Sequence, residues 1–189
     1  MNVNDSFQEL LDQIHRELLK PRGWKKQGSN FRLVHDDGLG QIINFQRSRW
    51  NTAESCGFFI NYGVYIEADP TLKNKTFKEY HCQLRRRAAH EGDIFTIDAH
   101  DLSAVKQDAA AAVRSALAFF DLIGTKERFV KMLLSGEAQK YSAAPVLHYH
   151  TCKLLCGMGY YREVQEIIKD RGGPYFEELK EQIGQKINR

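Results

Sequence analysis

The sequence predicts an α+β fold: an N-terminal helix on an antiparallel sheet of three to four strands, followed by a helical C-terminal half. Three observations predict it. Apolar residues recur at helical spacing before residue 20, alternate with polar ones between positions 31 and 66, and return to helical spacing after residue 101.

The first helix is drawn by Phe7, Leu10, Leu11, Ile14 and Leu18, spaced by threes and fours so that they share one stripe. Asn4, Asp5 or Ser6 can cap it, Ser6 and Glu9 having capping-box spacing, and Pro21 with Gly23 ends it. Period two then takes over. Phe31, Leu33 and His35 alternate with Arg32 and Val34, Asp36-Asp37-Gly38-Leu39-Gly40 makes a turn, and a second alternating run spans 41–47. Together they read as a β-hairpin. Phe58, Ile60, Tyr62, Val64 and Ile66 form the most apolar strand face of the chain, with Pro70 beyond its end. Residues 81–88 (HCQLRRRA) alternate as a fourth strand would, and fit a helix equally well.

From Asp101 the pattern is helical. Leu102, Val105, Ala109, Val113, Leu117 and Phe120 hold one face, which Gly124 terminates. Thr125–Leu134 is a short helix ended by Gly136, Pro145 opens another that Gly157 and Gly159 close, and two more cover 160–171 and 175–187. The stretch 155–168 looks like a helical hairpin, half of a tetratricopeptide unit, but a single copy without a period of about 34 residues makes no solenoid. The expected division is an α+β domain over 1–124 and a helical extension over 125–189 packed on it.

The chain has 189 residues, with 27 Lys and Arg against 24 Asp and Glu, a formal charge of +3. Neither half carries a strong excess. The composition excludes a disordered chain, and the charge balance argues against a dedicated nucleic-acid binder. The opening residues, MNVNDSFQELLDQIH, carry acids and no apolar centre, so no export signal is expected. No run approaches the roughly 18 apolar residues of a membrane helix, and no membrane partner is expected. The four cysteines, Cys56, Cys82, Cys152 and Cys156, then read as free thiols of a cytoplasmic protein.

The first helix ends in Leu19-Lys20 and leads into Gly23-Trp24-Lys25-Lys26-Gln27-Gly28 and Phe31. Next come Ile43-Asn44-Phe45-Gln46-Arg47-Ser48, Phe58-Phe59-Ile60-Asn61-Tyr62-Gly63-Val64, and Cys82 with Arg85-Arg86-Arg87. Over about residues 5–90 this succession resembles a bacterial family known only as domain of unknown function 4304. The resemblance implies a soluble bacterial α+β protein and supplies no reaction. One stretch departs from it: where the family has a tryptophan-rich segment, this chain has Ile94-Phe95-Thr96-Ile97.

Strand alternation nominates a surface. With Phe58, Ile60, Tyr62, Val64 and Ile66 facing inward, Phe59, Asn61, Gly63 and Tyr65 face the other way. Asn44 and Gln46 share a face of the second strand, and His81, Gln83, Arg85 and Arg87 share one of the fourth. Asn44, Gln46, Asn61, Tyr65, Arg85 and Arg87 are therefore the candidate binding residues. Amides donate and accept, and Arg presents a rigid donor fork, which suits a peptide, a nucleotide or a polar protein surface. The plain alternative is the wet side of an antiparallel sheet, although such sides favour Lys, Glu and Thr over Asn and Gln.

Other clusters are weaker. Arg85, Arg86 and Arg87 with Arg47, Arg49 and Trp50 make a basic patch, with Glu79 and Glu91 to balance it. His148, Cys152 and Cys156 are zinc-ligand types, but the step from the first to the last spans about 12 Å of helix, too far for one ion. His90-Glu91-Gly92-Asp93 and Asp98-Ala99-His100-Asp101 are acid–His clusters in loop settings. Nucleophile-elbow, phosphate-loop and dinucleotide signatures are lacking. The expectation is a protein without cofactor or metal, with a binding role ranked ahead of an enzymatic one: an interaction protein that binds a partner protein as immunity proteins do. The alternative is a protein acting on nucleotides or nucleic acid through its Arg, Asn and Gln patch.

Overall fold

A computed structural model describes residues 3–67, 76–89, 94–98 and 102–188. Helix α1 spans Val3–Ile14 and buries Val3, Phe7, Leu10, Leu11 and Ile14. It starts ahead of the residues expected to cap it. Ser6 is buried inside the helix, and Asn4 Oδ1 accepts a hydrogen bond from Arg47 Nη2 at 2.6 Å. The helix then widens into a π-helical turn over His15–Leu19, followed by a 3₁₀ turn over Lys20–Arg22 that Gly23 ends at φ 82°. A π turn takes up one residue more than an α turn, so the apolar stripe slips by one position. Leu19 is therefore fully buried, while Leu18, the residue that helical spacing selects, is half-buried. Trp24 follows, buried, with its ring 5.4 Å from that of Phe120.

Six antiparallel strands form one sheet: β1 Lys25–Gln27, β2 Asn30–Val34, β3 Leu39–Arg47, β4 Ser55–Ile66, β5 Leu84–Arg87 and β6 Phe95–Asp98. The order is β1-β2-β3-β4-β5, and β6 pairs with the start of β4, on the edge where β5 takes the later part. The sheet is thus wider than the three to four strands expected. The additions, β1 and β6, are three and four residues long, too short for alternation to register. The stretch that fitted strand and helix alike resolves into a 3₁₀ turn, Glu79–His81, and strand β5.

The inward face of the sheet, including all five alternating residues of β4, packs against α1 and against α2, Leu102–Ile123. Then come α3 Lys126–Leu134, a 3₁₀ turn Glu137–Tyr141, α4 Tyr149–Gly157, α5 Tyr161–Ile168 and α6 Pro174–Ile187. Thr125 caps α3, accepting from Arg128 N at 3.2 Å. Helix α4 begins at Tyr149, so Pro145 lies ahead of it rather than in its first turn. Helices α4 and α5 form the hairpin seen in the sequence. One hydrophobic cluster runs from Val3 to Ile183 through both halves of the chain. Among the described residues no helix is long and apolar enough to cross a membrane.

The slip at the π turn has a measurable consequence. Leu19→Ala is expected to cost about 2–5 kcal/mol, as for a fully buried leucine, and Leu18→Ala under about 1 kcal/mol. Urea unfolding of the two variants checks this; an unbroken α-helix would reverse the order.

Candidate functional site

The sheet face opposite the helices divides into a covered half and a bare half. In the covered half the register lines up Val34, Gly40 and Tyr65 in one row and Arg32, Ile42, Gly63 and Arg85 in the next. The segment 76–82 lies down on these rows. The Phe77 ring stacks on Tyr65 at 4.6 Å, nearly parallel. A Cβ at Gly40 would stand 2.8 Å from the Phe77 ring, and one at Gly63 would stand 2.8 Å from Cys82 Cβ. Glycine at both positions is what allows the segment to approach. Arg32, 5% exposed, anchors it from below, donating from Nε to the Phe77 carbonyl at 2.6 Å and from Nη1 to Gln27 Oε1 at 3.0 Å. Burial first, and Glu79 second, hold the Cys82 thiol well above its ordinary pKa, so it stays protonated at neutral pH and is no nucleophile.

The bare half carries a row of polar side chains drawn from four strands. Asn30 pairs with Asn44, Asn44 with Asn61, and Asn61 with Arg87. Beside this row Gln46 pairs with Phe59. The groups hold one another. Asn44 Nδ2 donates to Asn30 Oδ1 at 2.9 Å, Asn61 Nδ2 to Gln46 Oε1 at 2.9 Å, and Arg87 Nε to Asn61 Oδ1 at 3.1 Å. The Arg87 guanidinium lies 4.1 Å above the Phe59 ring, within cation–π reach. Gln46 and Arg87 are exposed and Asn44 is half-exposed, but Asn61 is only 5% exposed beneath its partners. Its wet-face reading therefore fails: Asn61 is the buried centre of the network.

Of the candidate residues, the structure brings Asn44, Gln46, Asn61 and Arg87 together. Arg85 stands one row over, paired with Glu79 Oε1 at 2.7 Å. Tyr65 is set apart under Phe77, with its hydroxyl donating to Glu67. Gln83 is turned to the end of β4, accepting from Ile66 N at 2.8 Å, and His81 sits in the 3₁₀ turn, accepting from Lys78 N at 3.0 Å. The basic patch does not form one surface either. Arg47 lies on the α1 side, its guanidinium 5.5 Å from the Phe7 ring, and Arg86 points the same way, 5.1 Å from Phe119.

Along β5 runs a groove of about 680 Å³, with Asn61 and the three arginines on one wall and residues 140–144 on the other. Ser142 Oγ donates to the Arg85 carbonyl at 3.4 Å across its rim. Lys140, Tyr141 and Ser142 carried no sequence signal, because only the fold brings the 3₁₀ turn after α3 to the edge of β5. Phe59 did carry one, the same outward parity as Asn61. Farther off, Cys152 Sγ donates to the Leu147 carbonyl and burial, then Cys152, pushes the Cys156 thiol up to about 11. Among the described residues no three His, Cys, Asp or Glu side chains converge to hold a metal ion. The cluster at 90–93 and most of that at 98–101 lie outside the described residues, as does Pro70; Asp98 ends β6.

These elements define an α+β protein with an antiparallel sheet, helices on one face and a polar patch on the other. The family model described as domain of unknown function (DUF4304) matches residues 15–121, more than half of the chain, and the protein belongs to that family. No curated protein matches the chain, and no solved structure does.

Asn61→Ala removes both the donor to Gln46 and the acceptor for Arg87. It is expected to cost about 1–3 kcal/mol, against roughly 0.5 kcal/mol for Gln46→Ala at the exposed end of the network. Equal, negligible costs in urea unfolding would mean that the network contributes nothing to stability.

Proposed function

We propose that the protein is a non-catalytic binding module that docks an acidic protein partner on the bare half of its outer sheet face, covering the partner as immunity proteins do. A cytoplasmic setting goes with this reading, since all four cysteines are free thiols. The observation that carries it is the division of the face: segment 76–82 covers the Tyr65 end, and the Asn44–Gln46–Phe59–Arg87 end is left to solvent with its polar groups already held by one another. Side chains ordered before binding lose little further entropy on docking. The loop leaving β3 beside Gln46 adds Trp50, 79% exposed, with the Arg49 guanidinium 5.1 Å from its ring. Tryptophan and arginine are the residue types that dominate interface energetics. Arg85, Arg87 and Lys140 flank the face, which favours an acidic partner and speeds its approach.

The test compares the immobilised protein with its Gln46→Ala/Trp50→Ala/Phe59→Ala variant, after urea unfolding has shown that the variant folds. Extract from the source cells is passed over both, and any protein retained only by the first is purified and titrated against each. The expected result is an acidic protein forming a one-to-one complex whose affinity falls about a hundredfold in the variant, as loss of two interface anchors requires. Retention of the same proteins by both would sink the reading. Saturable binding of a single-stranded oligonucleotide, weakening steeply with salt, would replace it with the nucleic-acid alternative.

A further inference from the structure

The β5 groove carries more than the docking reading uses. Arg85 and Arg87 stand on the same face of β5, and each is held through Nε alone: Arg85 by Glu79 at 2.7 Å, and Arg87 by Asn61 at 3.1 Å. Among the described residues the terminal nitrogens of neither guanidinium have a hydrogen-bond partner. Two forks are thus fixed in direction, with outer N–H groups that no described residue takes up. That is the arrangement a multi-oxygen anion requires, because the guanidinium geometry matches phosphate oxygens two at a time and little freedom is left to lose. Across the groove Lys140 is exposed, and its side chain makes no ion pair or hydrogen bond among the described residues. Arg86, although committed to the Tyr62 and Phe119 rings, adds a fourth positive charge, and among the described residues Glu79 is the one carboxylate in the lining.

The backbone supports the same assignment. Ala88 N donates to the Ile60 carbonyl at 2.8 Å, and the register then makes Arg86 and Tyr62 a hydrogen-bonded pair. In an antiparallel ladder the residues between such pairs turn their N–H groups outward, so the Arg87 N–H faces the open edge of β5.

We propose that this groove binds the phosphate monoester of a small molecule, with Arg85, Arg87 and Lys140 on the phosphoryl oxygens and the rest of the ligand toward Tyr141. The volume, about 680 Å³, lies within the range of small-ligand sites, roughly 300–1,000 Å³. A nucleic acid fits less well: its affinity comes from neutralising many phosphates along the backbone, and here the cations are gathered at one point rather than along a track. Tyr141, whose ring is braced by Phe119 at 5.5 Å, offers an aromatic surface for a base.

The experiment is titration calorimetry of the full chain with AMP, ribose 5-phosphate, adenosine and a phosphoserine peptide as probes. It needs no protein partner, so its outcome is independent of the docking reading. AMP and ribose 5-phosphate are expected to bind, AMP more tightly, and adenosine to give no heat. Arg85→Gln and Arg87→Gln are each expected to weaken AMP about tenfold or more, as loss of a charge-assisted fork requires. Tyr141→Ala is expected to reduce AMP to the level of ribose 5-phosphate. Thermal unfolding of each variant without ligand separates loss of the site from loss of the fold. Absence of binding by both phosphates, binding of adenosine equal to that of AMP, or unchanged affinity in both arginine variants would overturn the assignment. Binding of the phosphoserine peptide alone would overturn the small-molecule class.

Discussion

The pairing of β4 with β3 along one edge and with β5 and β6 along the other holds every other element in place. Its register sends Phe58, Ile60, Tyr62, Val64 and Ile66 into the core and Gly57, Phe59, Asn61, Gly63 and Tyr65 to the opposite face. A slip of one residue would exchange the two sets, burying an amide without partners and exposing five large apolar groups, each of which contributes about 1.5–3 kcal/mol by burial. The outward set is just as constrained. A Cβ at Gly57 would stand 2.6 Å from Ile94, and one at Gly63 would meet both Cys82 and the Leu84 carbonyl. The strand therefore accepts covering side chains at some positions and leaves others open.

That partition is what gives the outer face two characters. Where glycine lets segment 76–82 lie close, the surface is sealed by Phe77, Tyr65 and Cys82 over a buried Arg32. Where Asn61 stands, Gln46 and Arg87 close over it, and the polar side chains satisfy one another. Arg87 is the seam between the two proposed uses of this surface. Its stem and ring contact belong to the face with Phe59, while its outer N–H groups open on the groove. A protein docked on the face and an anion in the groove would share that side chain.

Much of this was legible in residue order because strand parity is local. Five alternating apolar residues in β4 were enough to place Asn61, Asn44 and Gln46 on a common face. Tyr65 has the right parity too, yet it is covered, because what lies over it comes from 76–82, a segment with no period of its own. The neighbours of Asn61 bury it for the same reason: cross-strand bonds from Gln46 and Arg87 depend on register, not on composition. Leu18 and Leu19 were exchanged because a π turn leaves no mark that helical spacing can read. The far wall of the groove, Lys140 to Ala144, reaches β5 only after α2 and α3 have packed.

The division of the outer face is tested most directly by hydroxyl-radical footprinting with mass-spectrometric readout. Trp50, at 79% exposure, serves as the fast internal reference, and Phe59 is compared with Phe77. The account requires Phe59, half-buried under Arg87, to be oxidised measurably, and Phe77, fully buried against Tyr65 and Gly40, to be protected until the protein unfolds. Oxidation of Phe77 at the rate of Phe59, or protection of both, would contradict it.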